Sequence, residues 1–180
     1  MGVRETGNPR VSKTLRSRFD SYHPPPILTK GCIMYEQAKQ AIINSSPQSS
    51  VYIGCDSIRY KKNKQWFAKY STVIIVHMDS NKGCRLFHES VDMPDYGNLK
   101  QRLLMEVQLA VTAATEIIDV IGKRHMEVHL DINPNPKHKS NVAVKEALGW
   151  VKGSLNIDAK IKPASFAATH AADHAVRHLH

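Results

Sequence analysis

The change of hydrophobic period at Leu99 constrains this chain more than any other feature. Upstream of it the pattern is that of strands. Val51-Tyr52-Ile53-Gly54-Cys55-Asp56 is a nearly continuous apolar run closed by a turn-former, as in a central strand buried on both faces. Residues 66–78 are rich in β-branched and aromatic side chains. Asp79-Ser80-Asn81-Lys82-Gly83 is a turn signal from which 84–91 can return as a third strand. Downstream the period is helical: Leu99, Leu103, Ala110, Ala114, Ile117 and Ile121 recur every three or four places until Gly122. Residues 126–132 alternate as a strand ended by Pro134 and Pro136. Ser140 is placed to cap a helix running through Trp150, with Gly153 just beyond it. Residues 158–161 suit a short last strand, and 167–179 an Ala-rich last helix. A short first helix is expected over 35–43, ended by the Ser-rich stretch around Pro47. Three hairpin-linked strands followed by crossovers predict an α/β fold: a five-stranded mixed sheet, order 3-2-1-4-5, with helices on both faces.

Composition bears on partners. The chain has 25 Lys+Arg against 16 Asp+Glu, a formal charge of +9 that favours an anionic partner, nucleic acid before an acidic membrane surface. Much of the excess lies at the start, where Arg4, Arg10, Lys13, Arg16 and Arg18 are interleaved with small polar residues and Pro24-Pro25-Pro26 closes the stretch. Residues 1–30 therefore read as an irregular basic arm, with Arg16 and Arg18 as candidates to follow a phosphate backbone, and 31–180 as one folded domain. No apolar run is long enough to span a membrane, and no apolar segment follows the basic N-terminus as in a secretory signal. Three cysteines without a C-x-x-C spacing favour neither a disulfide framework nor a thiolate zinc site. A soluble cytoplasmic protein is expected.

The acids stand where patterning says acids should not. Cleaving a phosphodiester with two ions requires hard oxygen ligands for Mg²⁺ or Mn²⁺ at the carboxyl ends of strands and on helix faces turned toward them. Asp56 ends the most buried strand, and Asp131 lies near the end of the fourth, alternating with His129 and Glu127. In the order 3-2-1-4-5 those strands are neighbours, so the two carboxylates share an edge. Glu106 falls inside the apolar stripe of the long helix, three beyond Leu103 and four before Ala110. A carboxylate there is costly unless it is paired or binds a metal. Asp173 is set opposite the alanines of the last helix and reads first as an exposed acid.

These residues carry a resemblance. Asp56 on the first strand, Glu106 on the helix after three strands, Asp131 on the fourth strand and Asp173 on a C-terminal helix resemble the acidic set of the RNase H-like superfamily. Within it the chain looks like the YkuK-like group of predicted nucleases, through Tyr52-Ile53-Gly54-Cys55-Asp56-Ser57, His129-Leu130-Asp131-Ile132-Asn133 and Lys160-Ile161-Lys162-Pro163-Ala164-Ser165. It departs from that group at Ala164, where an acid often stands. The resemblance implies a two-metal-ion nuclease acting on RNA, an RNA–DNA hybrid or structured DNA. Asp56 and Asp131 would bridge or flank the ions, Glu106 would hold one, and Asp173 would complete the second site. A non-catalytic nucleic-acid-binding protein that keeps the fold is the alternative, because function belongs to the site rather than the fold.

Other groups compete for attention. His170, His174 and His178 recur every four residues and could share a helix face suited to zinc or nickel, but no zincin-type Glu follows the first. His170, three before Asp173, better suits orienting a water or a phosphate, as in the His-x-x-Asp arrangement of RuvC-type resolvases. Cys55 belongs to a buried strand and has no identifiable His partner. Arg59, Lys61, Lys62 and Lys64 are expected in a basic loop after the first strand. Lys137, His138 and Lys139 form another at the Asp131 edge. Arg59, Lys61, Lys62, Lys137 and Lys139 are the candidates to hold a substrate backbone.

Overall fold

The computed structural model describes residues 28–178. The arm, with Arg16 and Arg18, lies outside the described residues. The element order is α1 (Leu28–Ile43), β1 (Ser50–Lys62), β2 (Gln65–His77), β3 (Cys84–Pro94), α2 (Leu99–Ile121), β4 (His125–Leu130), α3 (Val144–Leu155) and α4 (Asp173–His178). A 3₁₀ turn at Lys139–Ala143 precedes α3, and a π-helical segment at Ala167–Ala172 runs into α4. The strands form a mixed sheet of order β3-β2-β1-β4, with β1 antiparallel to β2 and parallel to β4. Helices α1 and α2 pack on one face over Val51, Ile53, Ile74, Val76, Val128 and Leu130, and α3 packs against α2 in the same core. The C-terminal helical segment covers the other face, where Ala172 and Ala175 are buried against Val73. The two-sided burial expected of the first strand follows from this layering.

The fifth strand contracts to a single bridge between Lys160 and His129. Lys160 N–H donates to Val128 O and Lys160 O accepts from Leu130 N–H. One further bond, Lys162 N–H to Ile132 O, follows before Pro163, which has no N–H to extend a ladder. Among the described residues the sheet is therefore four-stranded, without the expected fifth strand.

Other boundaries differ from the expected ones for local reasons. The basic stretch after β1 is strand rather than loop: pairing runs unbroken to Lys62–Gln65, so Arg59, Lys61 and Lys62 stand on β1. Asn63 and Lys64 make the two-residue turn, with φ of 49° and 64°, the left-handed pair whose twist matches a hairpin. Helix α2 begins on Asn98, whose side chain accepts from Gln101 N–H at 3.1 Å, and ends at Gly122, where φ is 60°. Ser140 caps no helix. Its hydroxyl instead accepts the Asn133 N–H at 3.0 Å, closing the loop after β4. Helix α3 runs through Gly153 and stops at Asn156, which is left-handed with φ of 56°.

Candidate functional site

The parallel ladder between β1 and β4 ends at Cys55–Leu130, so Asp56 and Asp131 are the next residues on two adjacent strands. Strand alternation puts Cys55 and Leu130 into the α2 face and turns Asp56 and Asp131 toward the C-terminal segment. Asp173, the first residue of α4, faces them from above. Glu106 reaches the same place from α2, past the sheet edge. All four acids line one cavity of about 430 Å³.

Each acid is held differently. Glu106 is buried and accepts the Ser57 hydroxyl at 2.5 Å. Burial, and then the nearby Asp56 charge, push its carboxyl well above the usual range. Asp56 accepts the Ser57 N–H at 2.8 Å. Burial, with the Asp131 and Asp173 charges, pushes it up to about 6 against the opposing Ser57 bond and the Lys162 charge. Asp131 takes the Thr169 hydroxyl at 2.9 Å and the Lys162 ammonium at 2.8 Å on the same oxygen, Oδ1. Asp173 pairs with Arg177 at 2.5 Å one turn along α4. The exposed-acid reading of Asp173 is thus incomplete: it is half-exposed and lines the cavity.

Several groups in this cavity escape a sequence reading. Ser57, Ser140, Lys162 and Thr169 come together only through the fold. Arg102 and Arg177 carry a legible signal, each four residues from an acid of the set on the same helix. Lys162, Arg102 and Arg177 partly offset the carboxylate charge. Even so, among the described residues no group of three acids or imidazoles converges closely enough to hold an ion as the side chains stand. The donor set is nonetheless all hard oxygen, and burial, with the charges of Asp131 and Asp173, raises Asp56. That combination fits a hard divalent cation, which would compete with Lys162 and Arg177 for the carboxylates.

The remaining candidates separate from this centre. His170 is exposed on the π-helical segment and is not among the residues lining the cavity. The imidazole row gathers no metal group among the described residues, and the side chain of His178 lies outside the description. Cys55 is buried, and burial raises its thiol well above the usual range, which keeps it out of nucleophilic chemistry. Arg59 is ion-paired with Asp95 and lies over Trp66, 4.6 Å from the ring centroid. The Lys61 ammonium is 5.8 Å from the same ring. Lys62, Lys137 and Lys139 are exposed.

His129 seats the C-terminal segment. It is fully buried, with Tyr52 and Phe166 packed on its ring. Its Nδ1 accepts the Ala167 N–H at 3.0 Å, so the ring proton sits on Nε2 and is donated to Glu127 at 2.9 Å. Burial keeps the imidazole below its usual pKa, hence neutral. His129→Leu should orphan the Ala167 N–H and cost roughly 1–3 kcal/mol. Thermal unfolding reads the loss, and amide exchange at Ala167 should accelerate; an unchanged exchange rate there would refute the latch.

A family model described as Ribonuclease H-like matches residues 33–177 of the chain. No curated protein and no solved structure matches it. Among the described residues no helix is long and apolar enough to cross a membrane.

Proposed function

From the premise that this chain belongs to the Ribonuclease H-like family, we propose that it is a metal-dependent nuclease acting on a phosphodiester of RNA or DNA. One observation carries the reading: four acids from four separate elements line one cavity beside three cations. Asp56, Glu106, Asp131 and Asp173 would hold Mg²⁺ or Mn²⁺. When bound, such ions supply Lewis-acid stabilisation of the attacking and leaving oxygens. The chain's own groups do the rest. The Ser57 hydroxyl and N–H fix the orientations of Glu106 and Asp56. Thr169 fixes Asp131. Lys162 and Arg177, if displaced from their carboxylates, become free to take the phosphate oxygens of the substrate. The exposed Lys62, Lys137 and Lys139, and the basic arm, would hold the backbone on either side.

The same Lys162–Asp131 and Arg177–Asp173 pairs favour one second reading, a nucleic-acid binder without turnover, since they occupy two acids internally. Incubating the purified protein with labelled RNA, hybrid, junction DNA and single strands, with and without Mn²⁺, separates the two. Metal-dependent cleavage supports the nuclease; retention of a strand with no cleavage in any metal supports the binder.

The state of Asp56 sets a pH dependence. Its folded pKa of about 6 lies above the usual 3.8, so the folded chain binds the proton more tightly than the unfolded one. For this group, stability of the metal-free protein is greatest below about pH 4 and is lost as pH rises through about 6. An ion competes with that proton. Mn²⁺ affinity should therefore fall about tenfold per pH unit below 6 for the proton displaced from Asp56, with any proton displaced from Glu106 adding to that slope. Calorimetric titration across pH 5–8 checks this; a flat affinity would exclude Asp56 as a ligand.

A further inference from the structure

A second cavity, of about 380 Å³, adjoins the acid cavity, and Arg102 lines both. It lies between the end of β3, the first turns of α2 and the face of α3, and its walls include Tyr70, Met93, Tyr96, Met105 and Trp150. Tyr70 is buried as its floor, whereas Tyr96 is 86% exposed and Trp150 38% exposed. The amides of Gln101 and Gln108 supply donors and acceptors at its margin. The Arg102 Nε is buried and has no hydrogen-bond partner, an expensive condition for a cation in a folded chain. Arg102 thus stands as an unmet donor on the partition between an anionic and an aromatic compartment.

We propose that this aromatic cavity seats one unpaired nucleobase of the strand whose phosphodiester enters the acid cavity. The proposal rests on the nuclease reading of the acid cavity and adds a substrate class to it: single strands, or strand ends that can fray. A nucleotide carries the required pair of features, a phosphate anion for Arg102 and a flat ring for Tyr96 and Trp150. Acidic peptides do not fit, because their carboxylates meet Asp56 and Glu106 without a metal-seeking phosphate between. A base inside a continuous duplex does not fit either, since both its faces are already stacked. Base–aromatic stacking tolerates any sequence, and amides at the rim can favour one base through its edge.

The test uses labelled single-stranded oligonucleotides carrying one abasic residue at successive positions, together with the matching duplex. Binding is measured by anisotropy in Mn²⁺ with the Asp131→Asn chain, and cleavage with the parent. One abasic position should bind about 5- to 100-fold more weakly than the intact strand, the range expected of a single stacked base. Tyr96→Ala, at a solvent-facing position, and Trp150→Leu should each bring the intact strand toward the abasic one while leaving the abasic strand unchanged. The duplex should bind more weakly than the strand.

Equal binding at every abasic position, or identical losses in the variants for intact and abasic strands, overturns the base seat. Cleavage by the parent in that case leaves the nuclease reading standing. A position-dependent abasic penalty without cleavage keeps the seat and sinks the nuclease reading. Absence of oligonucleotide binding by either chain, together with absence of cleavage by the parent, overturns both.

Discussion

The Asp131→Asn variant is expected to lose metal-dependent cleavage by at least about 10²–10³-fold while remaining folded. An ion's stabilisation of the reacting oxygens is worth several kcal/mol, and about 1.4 kcal/mol is tenfold in rate. The amide keeps the shape of the carboxylate and can still accept the Thr169 hydroxyl, so the seat of the C-terminal segment survives. It has no charge to offer an ion, and the Lys162 ammonium, which shares Oδ1 with Thr169, is left with a neutral carbonyl oxygen. Circular dichroism should be unchanged. Cleavage at the parental rate would remove Asp131 from the site and the nuclease reading with it.

Glu106→Gln should do two opposite things. Burial and the Asp56 charge make an ionised Glu106 unfavourable in the folded chain, so the amide removes a cost that the fold now carries. Gln can still accept the Ser57 hydroxyl through its carbonyl oxygen. The metal-free variant should be more stable near neutral pH by on the order of 1–2 kcal/mol, since folding must otherwise protonate a carboxyl that the unfolded chain leaves ionised. At about 2–4 °C per kcal/mol for a chain of this size, melting should rise by several degrees. Cleavage should fall by about 10² or more, and Mn²⁺ should raise the melting temperature of the parent but not of the variant. A variant that melts lower than the parent without metal would contradict the account of Glu106 as a destabilised ligand, since stability and activity trade against each other at such sites.

The parts legible in the sequence are those set by periodicity. Glu106 stands out because one charged residue interrupts an otherwise apolar stripe, and that stripe is buried as its spacing demands. The order of β3, β2, β1 and β4 follows from hairpin lengths and one crossover, both local properties. Lys160 and the fifth strand are not legible in the same way. Four residues with strand character do not say how many will find partners, and Pro163 ends the pairing after the bridge. Nor does composition distinguish a π-helical segment from an α-helix over Ala167–Ala172, because the difference is one residue of hydrogen-bond register. Ser140 satisfies every rule for a helix cap and bonds to Asn133 instead, since a serine hydroxyl serves whichever N–H the fold brings near. Lys162 reaches Asp131 only through that bridge, a contact between residues far apart in the chain.

The contraction of the fifth strand divides the site into two halves of unequal permanence. Asp56, Glu106 and Asp131 stand on β1, α2 and the end of β4, inside the main core. Thr169 and Asp173 ride on a segment that follows a single bridge and meets the sheet through the His129 bond, the Thr169 bond to Asp131, Phe166 against Tyr52 and His129, and Ala172 and Ala175 on Val73. Helix α4 spans Asp173–His178, far too short to persist once undocked. Local opening of such a segment would require less free energy than global unfolding. If the four acids hold an ion and the segment opens, the apparent dissociation constant of that ion would be its intrinsic value divided by the docked fraction. By the same linkage, an ion held by Asp173 would increase that fraction. Metal concentration would set how often the cavity is whole as well as how often it is filled.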